Sequence, residues 1–139
     1  MVAVAFLGAA LLLGGCSSPS AVKALDRPAE PRDTLPAGAI LPAAASPASV
    51  RLLAEKDGVK YFGARDDADT TLCLVVAPSG SPIGNYGGCA EYRHSAGEVM
   101  TMSNADATSA MLVMDGFDTS KLEAQRWTKV HDNVLVKRP

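Results

Sequence analysis

The chain has 139 residues, a length that favours a single folded domain. Its composition, 47% hydrophobic and 20% charged, is ordinary for a chain that folds and does not indicate a wholly disordered protein. Its 13 basic and 15 acidic residues give a net charge of −2, without a basic run that could neutralise a row of phosphates. We therefore expect no nucleic-acid partner.

The amino-terminal residues 2–13, VAVAFLGAALLL, carry no charged or polar side chain. A membrane-spanning helix needs about 20 apolar residues, whereas a run of about 10–14 is typical of a signal-peptide core or a buried helix. Gly14 and Gly15 weaken a helix directly after this run. We therefore predict a signal peptide over residues 1–15. A core helix of a soluble domain and an uncleaved anchor helix are the alternatives.

The four residues Leu13, Gly14, Gly15 and Cys16 come directly after the apolar run. This stretch resembles the lipobox of bacterial lipoproteins, in which the cysteine thiol receives a diacylglyceryl group and signal peptidase II cuts before the cysteine. The resemblance implies that Cys16 is the lipidated first residue of the mature protein. It also implies a cell-envelope protein, held on the extracytoplasmic face of the cell membrane by acyl chains such as palmitate.

Residues 16–49 contain most of the prolines, many Ala and Ser residues and no aromatic residue. Such a stretch buries too little apolar surface to offset the entropy lost on ordering, so we predict a flexible tether. The exceptions are Leu35, Ile40 and Leu41, and their docking on the domain is the alternative. The globular domain is then predicted over residues 50–139.

The domain begins with two strand-like segments, residues 50–55 and 59–65, on either side of Asp57 and Gly58. An Asp-Gly pair favours a tight hairpin because both positions tolerate positive φ. Residues 71–77, TLCLVVA, are apolar on both faces, which is typical of a central strand.

Downstream, we predict strands over residues 98–103, 109–115 and 133–137, and a short helix that ends at Arg126 and buries one edge with Phe117, Leu122 and Trp127. Strands and helices do not alternate regularly, so a parallel sheet is not expected. The predicted fold class is α+β, a small antiparallel sheet of five or six strands with one or two short helices. A half-open all-β barrel is the alternative.

Once Cys16 is assigned to lipid, Cys73 and Cys89 form an even pair in a chain that we expect in an oxidising compartment. A bridge across about 15 residues removes denatured-state entropy worth about 3 kcal/mol. We therefore predict a structural disulfide, with two buried free thiols as the alternative. A redox dithiol would follow the pattern C-x-x-C, which is absent from the sequence.

The residues offer no convincing catalytic set. A hydrolase needs a nucleophile or activated water, a base and an orienting group in one place. The two histidines, His94 and His131, are isolated, and Asp132 next to His131 would point to the opposite face of a strand. We therefore predict no enzyme, no metal site and no cofactor.

The remaining hypothesis is a binding domain. The loop before Cys89 is rich in Gly and small polar residues, so we predict that Ile83, Asn85 and Tyr86 form an exposed interaction surface. The partner would be an envelope protein or a component of the cell wall. A small envelope hydrolase, or a regulator or inhibitor of an envelope enzyme, is the alternative function.

Overall fold

The computed structural model describes residues 20–81, 83–93 and 97–139. The predicted lipobox, Leu13, Gly14, Gly15 and Cys16, lies outside these residues, and so does His94. The described chain is mostly β. Its strands are β1 Arg51–Lys56, β2 Val59–Arg65, β3 Thr71–Pro78, β4 Tyr86–Glu91, β5 Glu98–Ser103, β6 Ser109–Val113, β7 Thr128–His131 and β8 Val134–Lys137, and its α-helix is α1 Ser120–Ala124.

The α+β prediction is wrong. The eight strands form two four-stranded antiparallel sheets, ordered β1-β2-β3-β4 (sheet A) and β5-β6-β8-β7 (sheet B), and they are not closed into a barrel. Of the predicted strands, the hairpin β1–β2, the central strand β3 and the strands β5, β6 and β8 are confirmed. Strands β4 and β7 were not predicted from the sequence.

Two glycines give the sequence of β4 the composition of a loop. Gly87 lies in the strand where an added Cβ would come within 3.1 Å of the carbonyl oxygen of Leu74 on β3. At Gly88 an added Cβ would meet the methyl carbon of Met100 on β5 at 3.1 Å. Gly87 therefore allows close approach within sheet A, and Gly88 allows close approach between the two sheets. Local sequence does not distinguish this use of glycine from a turn.

The main core lies between the sheets. Alternate residues of β3 point to its two faces, as predicted for a central strand, and Leu72, Leu74 and Val76 point inward. They meet apolar side chains of sheet B, including Leu112 and Val134, both at most 1% exposed. The edge strands of the two sheets also lie side by side, β4 next to β5 and β1 next to β7. The architecture is a β-sandwich.

Residues 20–49, expected as part of a flexible tether, differ from that expectation, and we call them the strap. The strap has three short 3-10 turns, Lys23–Leu25, Pro31–Asp33 and Pro47–Ser49. Its Val22 and Leu25 are buried in the main core. Farther along, it packs Leu35, Ala39, Leu41 and Ala45 against the outer face of sheet A. Few apolar residues suffice because the strap completes cores that the sheets have already formed.

Hydrogen bonds of charged side chains fasten the strap to β1. The Arg27 guanidinium binds both carboxylate oxygens of Asp33, at 2.5 and 2.7 Å, and that carboxylate also accepts the backbone N–H groups of Glu30 and Leu52. These hydrogen bonds, the one from Arg27 first, hold the pKa of Asp33 well below its usual range. The buried Arg51 donates in turn to carbonyl groups of the strap, including that of Arg27.

The outer face of sheet B has its own cover. Met111, Val113 and Leu135 are buried there under Phe117, Leu122 and Trp127, the three residues predicted to form the buried edge of the short helix. The molecule is therefore layered as strap, sheet A, sheet B and the segment around α1. Both apolar faces of each sheet are covered, which leaves the ends of the strands as the open parts of the sandwich.

Candidate functional site

One open end of the sandwich contains two small cavities that share Tyr61 and Arg138 as lining residues. The larger, of about 190 Å³, opens beside Lys56, Arg126 and Thr128. The smaller, of about 130 Å³, lies beside Tyr86, Asn104 and Thr108. We call the two cavities together the tyrosine cleft.

The β1–β2 hairpin brings one charged pair to this cleft. Asp57 and Gly58 have φ angles of 52° and 74°, so the predicted tight turn is confirmed. The turn presents the Asp57 carboxylate to Arg138 at the end of β8, at a distance of 3.1 Å. Both side chains are more than half exposed, and such an ion pair holds its partners only weakly.

The two tyrosines form the inner wall of the cleft. Tyr61 is only 4% exposed, and Tyr86 packs against the same core between the sheets. The hydroxyl of Tyr86 is buried and has no hydrogen-bond partner among the described residues. Burial, and then the neighbouring Tyr61, raise the pKa of Tyr86 to about 12, and burial also raises the pKa of Tyr61. Both hydroxyls are therefore protonated at neutral pH and can donate a hydrogen bond.

The predicted interaction surface of Ile83, Asn85 and Tyr86 is only partly exposed. Ile83 is 85% exposed, but Tyr86 begins β4 and its ring packs on the core. The side-chain oxygen of Asn85 is buried, with no partner among the residues that the structure describes. The loop therefore contributes a tyrosine to the cleft, while the exposed Ile83 lines neither of the two cavities.

Arg126 reaches the cleft from an unusual backbone position. After α1, the N–H groups of Arg126 and Trp127 donate to the carbonyls of Glu123 and Leu122, both at 3.0 Å, which is the Schellman pattern. The position after the C-cap in this motif requires a left-handed conformation and is usually glycine. Here Arg126 occupies it with a φ of 71°, although its side chain strains the backbone there.

Left-handed backbone is concentrated at this end. Four non-glycine residues in the described part of the chain have positive φ, and three of them, Asp57, Ala107 and Arg126, lie in the turns around the cleft. Only Asp69 lies elsewhere. Residues held in sparsely populated conformations tend to cluster at functional sites, so this observation favours the tyrosine cleft as one.

The opposite end of the strands has a cavity of about 500 Å³ beside His131, Lys23 and Asp115. Here the polar groups are used by the fold. Asp115 accepts the backbone N–H of Lys23 at 3.0 Å and the side-chain amide of Asn133 at 2.8 Å. The Nδ1 atom of His131 accepts the backbone N–H of Asn133. Burial lowers the pKa of His131, although Asp132 and Asp115 act in the opposite direction.

A further cavity, of about 380 Å³, lies between the strap and the start of β1. Its lining includes Asp33 and Arg51, whose charged groups already hold the strap in place. Within the described ranges, no group of three or more His, Cys, Asp or Glu residues could hold a metal ion. Within the same ranges, no helix is long and apolar enough to cross a membrane.

The predicted disulfide between Cys73 and Cys89 is confirmed, with an S–S distance of 2.06 Å. The two cysteines are directly paired across β3 and β4, three residue pairs away from the pair of Val76 and Tyr86 next to the loop. The bridge therefore ties two strands that already pair, at the end of the hairpin remote from Ile83.

Sequence reasoning missed Lys56, Arg126 and Arg138 as site residues, because only the strand register brings them together. One local feature could have identified Arg126, namely a helix that ends without glycine where the Schellman position requires positive φ. No protein-family model, no curated protein and no solved structure matches this chain.

Proposed function

We propose that this chain is a lipid-anchored cell-envelope protein whose sandwich is a non-catalytic binding domain. The observation that supports the binding role is the tyrosine cleft, where the buried hydroxyl of Tyr86 has no partner among the described residues. A buried polar group without a partner costs stability, so a ligand that accepts its hydrogen bond is favoured. The anchor is supported by the lipobox resemblance of Leu13 to Cys16.

The binding role can be tested before the ligand is known. A ligand that binds only the folded state raises its melting temperature, so the protein should melt several degrees higher in native envelopes than when purified. Thr128→Trp should abolish this difference because the indole ring fills the larger cavity of the cleft. Thr101→Trp is the matched control, since Thr101 is also an exposed threonine on an edge strand of sheet B.

Two results would contradict the binding role. In the first, the wild-type protein melts at the same temperature in envelopes and in the purified state. In the second, Thr128→Trp keeps the full difference between those two temperatures while the purified variants melt alike.

The anchor has a separate test. Cys16→Ser should release the protein from membranes and leave a precursor of unprocessed size, because the modified thiol and the cleavage site are lost together. Cell fractionation and mass spectrometry measure both effects. A mature-sized Cys16→Ser protein in the membrane fraction would show that lipid on Cys16 is not the anchor.

A further inference from the structure

We propose that the larger cavity of the tyrosine cleft, which we call its mouth, binds an oxyanion. This oxyanion is a phosphate or carboxylate group carried by the ligand. This inference rests on the binding role proposed above and specifies the ligand's chemistry. Lys56, Arg126 and Arg138 line the 190 Å³ cavity, and Asp57 is the single carboxylate among the described residues that line it. The mouth therefore carries an excess of positive charge in a protein whose net charge is −2.

Two of the three cations are available to a ligand. Lys56 and Arg126 make no ion pair or hydrogen bond through their side chains within the described ranges. Arg138 pairs with Asp57, but that pair is exposed and a second anion can compete for the guanidinium. An arginine fork binds two oxygens of a carboxylate or phosphate at once, which favours these groups over a simple halide.

The backbone conformation at Arg126 also supports anion binding. The Schellman motif would be satisfied without strain by glycine, yet the chain places a long cationic side chain at a φ of 71°. Within the described residues the guanidinium has no partner that could offset this strain. A ligand anion supplies the partner, so a loss of stability at one residue serves binding.

The size of the cavity limits what can enter. Sites for whole small molecules are usually about 300–1,000 Å³, so a cavity of about 190 Å³ suits one functional group. Tyr61 lines this cavity as well as the smaller one, so its hydroxyl can add a neutral donor to the three cations. The remainder of the ligand would lie outside this cavity.

The test uses the full chain in a nonionic detergent, titrated with sodium phosphate and followed by backbone amide chemical shifts. Sodium chloride at equal ionic strength corrects for screening. Phosphate should give a saturable shift at Lys56, Arg126 and Arg138. Arg126→Gly should weaken binding about tenfold and, without phosphate, raise the melting temperature by about 2–6 °C.

Arg32→Gln is the matched control, because Arg32 is an exposed arginine on the strap whose ion-pair partner is Glu30. It removes the same charge and should leave phosphate affinity within about twofold. Arg126→Gln removes the charge but keeps the left-handed backbone strained, so it should lose affinity without gaining stability. The combination of weaker binding with higher stability in Arg126→Gly is not expected from a purely structural residue.

Three results would overturn the inference. The amide chemical-shift changes with sodium phosphate and with sodium acetate could both be no larger than those with sodium chloride. Arg126→Gln could bind phosphate as tightly as the wild type. Binding could also require phosphatidylglycerol in the micelles, with no response to phosphate, which would indicate a membrane surface instead of an oxyanion site. If Thr128→Trp still abolished stabilisation in envelopes, the binding role would stand and only the ligand class would be wrong.

Discussion

The two ends of the sandwich differ in how their polar groups are paired. At the His131 end, Asn133 is 2% exposed and donates to both Val113 and Asp115, so buried polar groups stabilise the fold. At the other end, the Tyr86 hydroxyl is unpaired among the described residues and Arg126 has a left-handed backbone. The polar groups beside the larger cavity therefore stabilise the fold, whereas the tyrosine cleft includes groups that are unpaired or strained.

Reduction of the disulfide should have the largest effect on stability and little effect on the cleft. Cys73 and Cys89 close about 15 residues, so reduction should lower the free energy of unfolding by about 3 kcal/mol. Denaturant melts of the oxidised and reduced forms measure this loss. Phosphate binding to the folded reduced protein should be retained, because the bridge lies three residue pairs away from Val76 and Tyr86, which line the cleft. An unchanged midpoint after confirmed reduction would contradict the prediction.

Asn133→Ala should cost about 2 kcal/mol, since it removes the buried amide that donates to the carbonyl of Val113 and to the Oδ1 atom of Asp115. Asn85→Ala is the matched variant at the other end and should cost less than about 0.5 kcal/mol, because its buried oxygen has no partner among the described residues. Denaturant melts of both variants give the comparison directly. Equal losses would mean that the two ends do not differ in pairing.

High pH should weaken the tyrosine end selectively. The pKa of Tyr86 rises to about 12 in the folded protein, against about 10 when unfolded, so its contribution is present below pH 10 and is lost between pH 10 and 12. Stability should fall by about 2 kcal/mol across this range. In Tyr86→Phe the fall should be smaller, since only the shift of Tyr61 remains at this end. An identical pH profile in both proteins would contradict the assignment.

The smallest effect is expected from Tyr86→Phe at neutral pH. Removing a buried hydroxyl without a partner should change the free energy of unfolding by less than about 0.5 kcal/mol, or increase it slightly. Tyr86→Ala, the control for the ring, should cost about 2 kcal/mol because the ring packs on the core. A loss of more than about 1 kcal/mol in Tyr86→Phe would show that the hydroxyl is paired.

The elements that the sequence predicts well are those whose chemistry is local. The Asp57-Gly58 turn and the alternation in β3 depend on neighbouring residues only, and both are found. The strap and β4 depend on distant partners. Leu25 is buried because two sheets already form its pocket, and at Gly88 the methyl group of Met100 occupies the space next to an added Cβ. Composition carries no information about such partners.

The candidate site divides in the same way. The loop of Ile83 and Tyr86 was predicted as a surface from its composition, and it does border the cleft through Tyr86. Lys56 is far apart in sequence from Arg126 and Arg138, and only the placement of β1 beside β7 brings the three residues to one cavity. Non-local register of this kind cannot be read from one sequence.

The start of the strap has a consequence for orientation. Ala21 accepts the backbone N–H of Asp115 at 2.9 Å, so the described chain begins at the His131 end. From Cys16 to Ser20 the chain advances four residues and can span at most about 14 Å. A lipid on Cys16 would therefore hold the His131 end against the bilayer. The tyrosine cleft lies roughly 20 Å away, across the length of β2. It would therefore face away from the bilayer, toward ligands that approach from the surrounding solution.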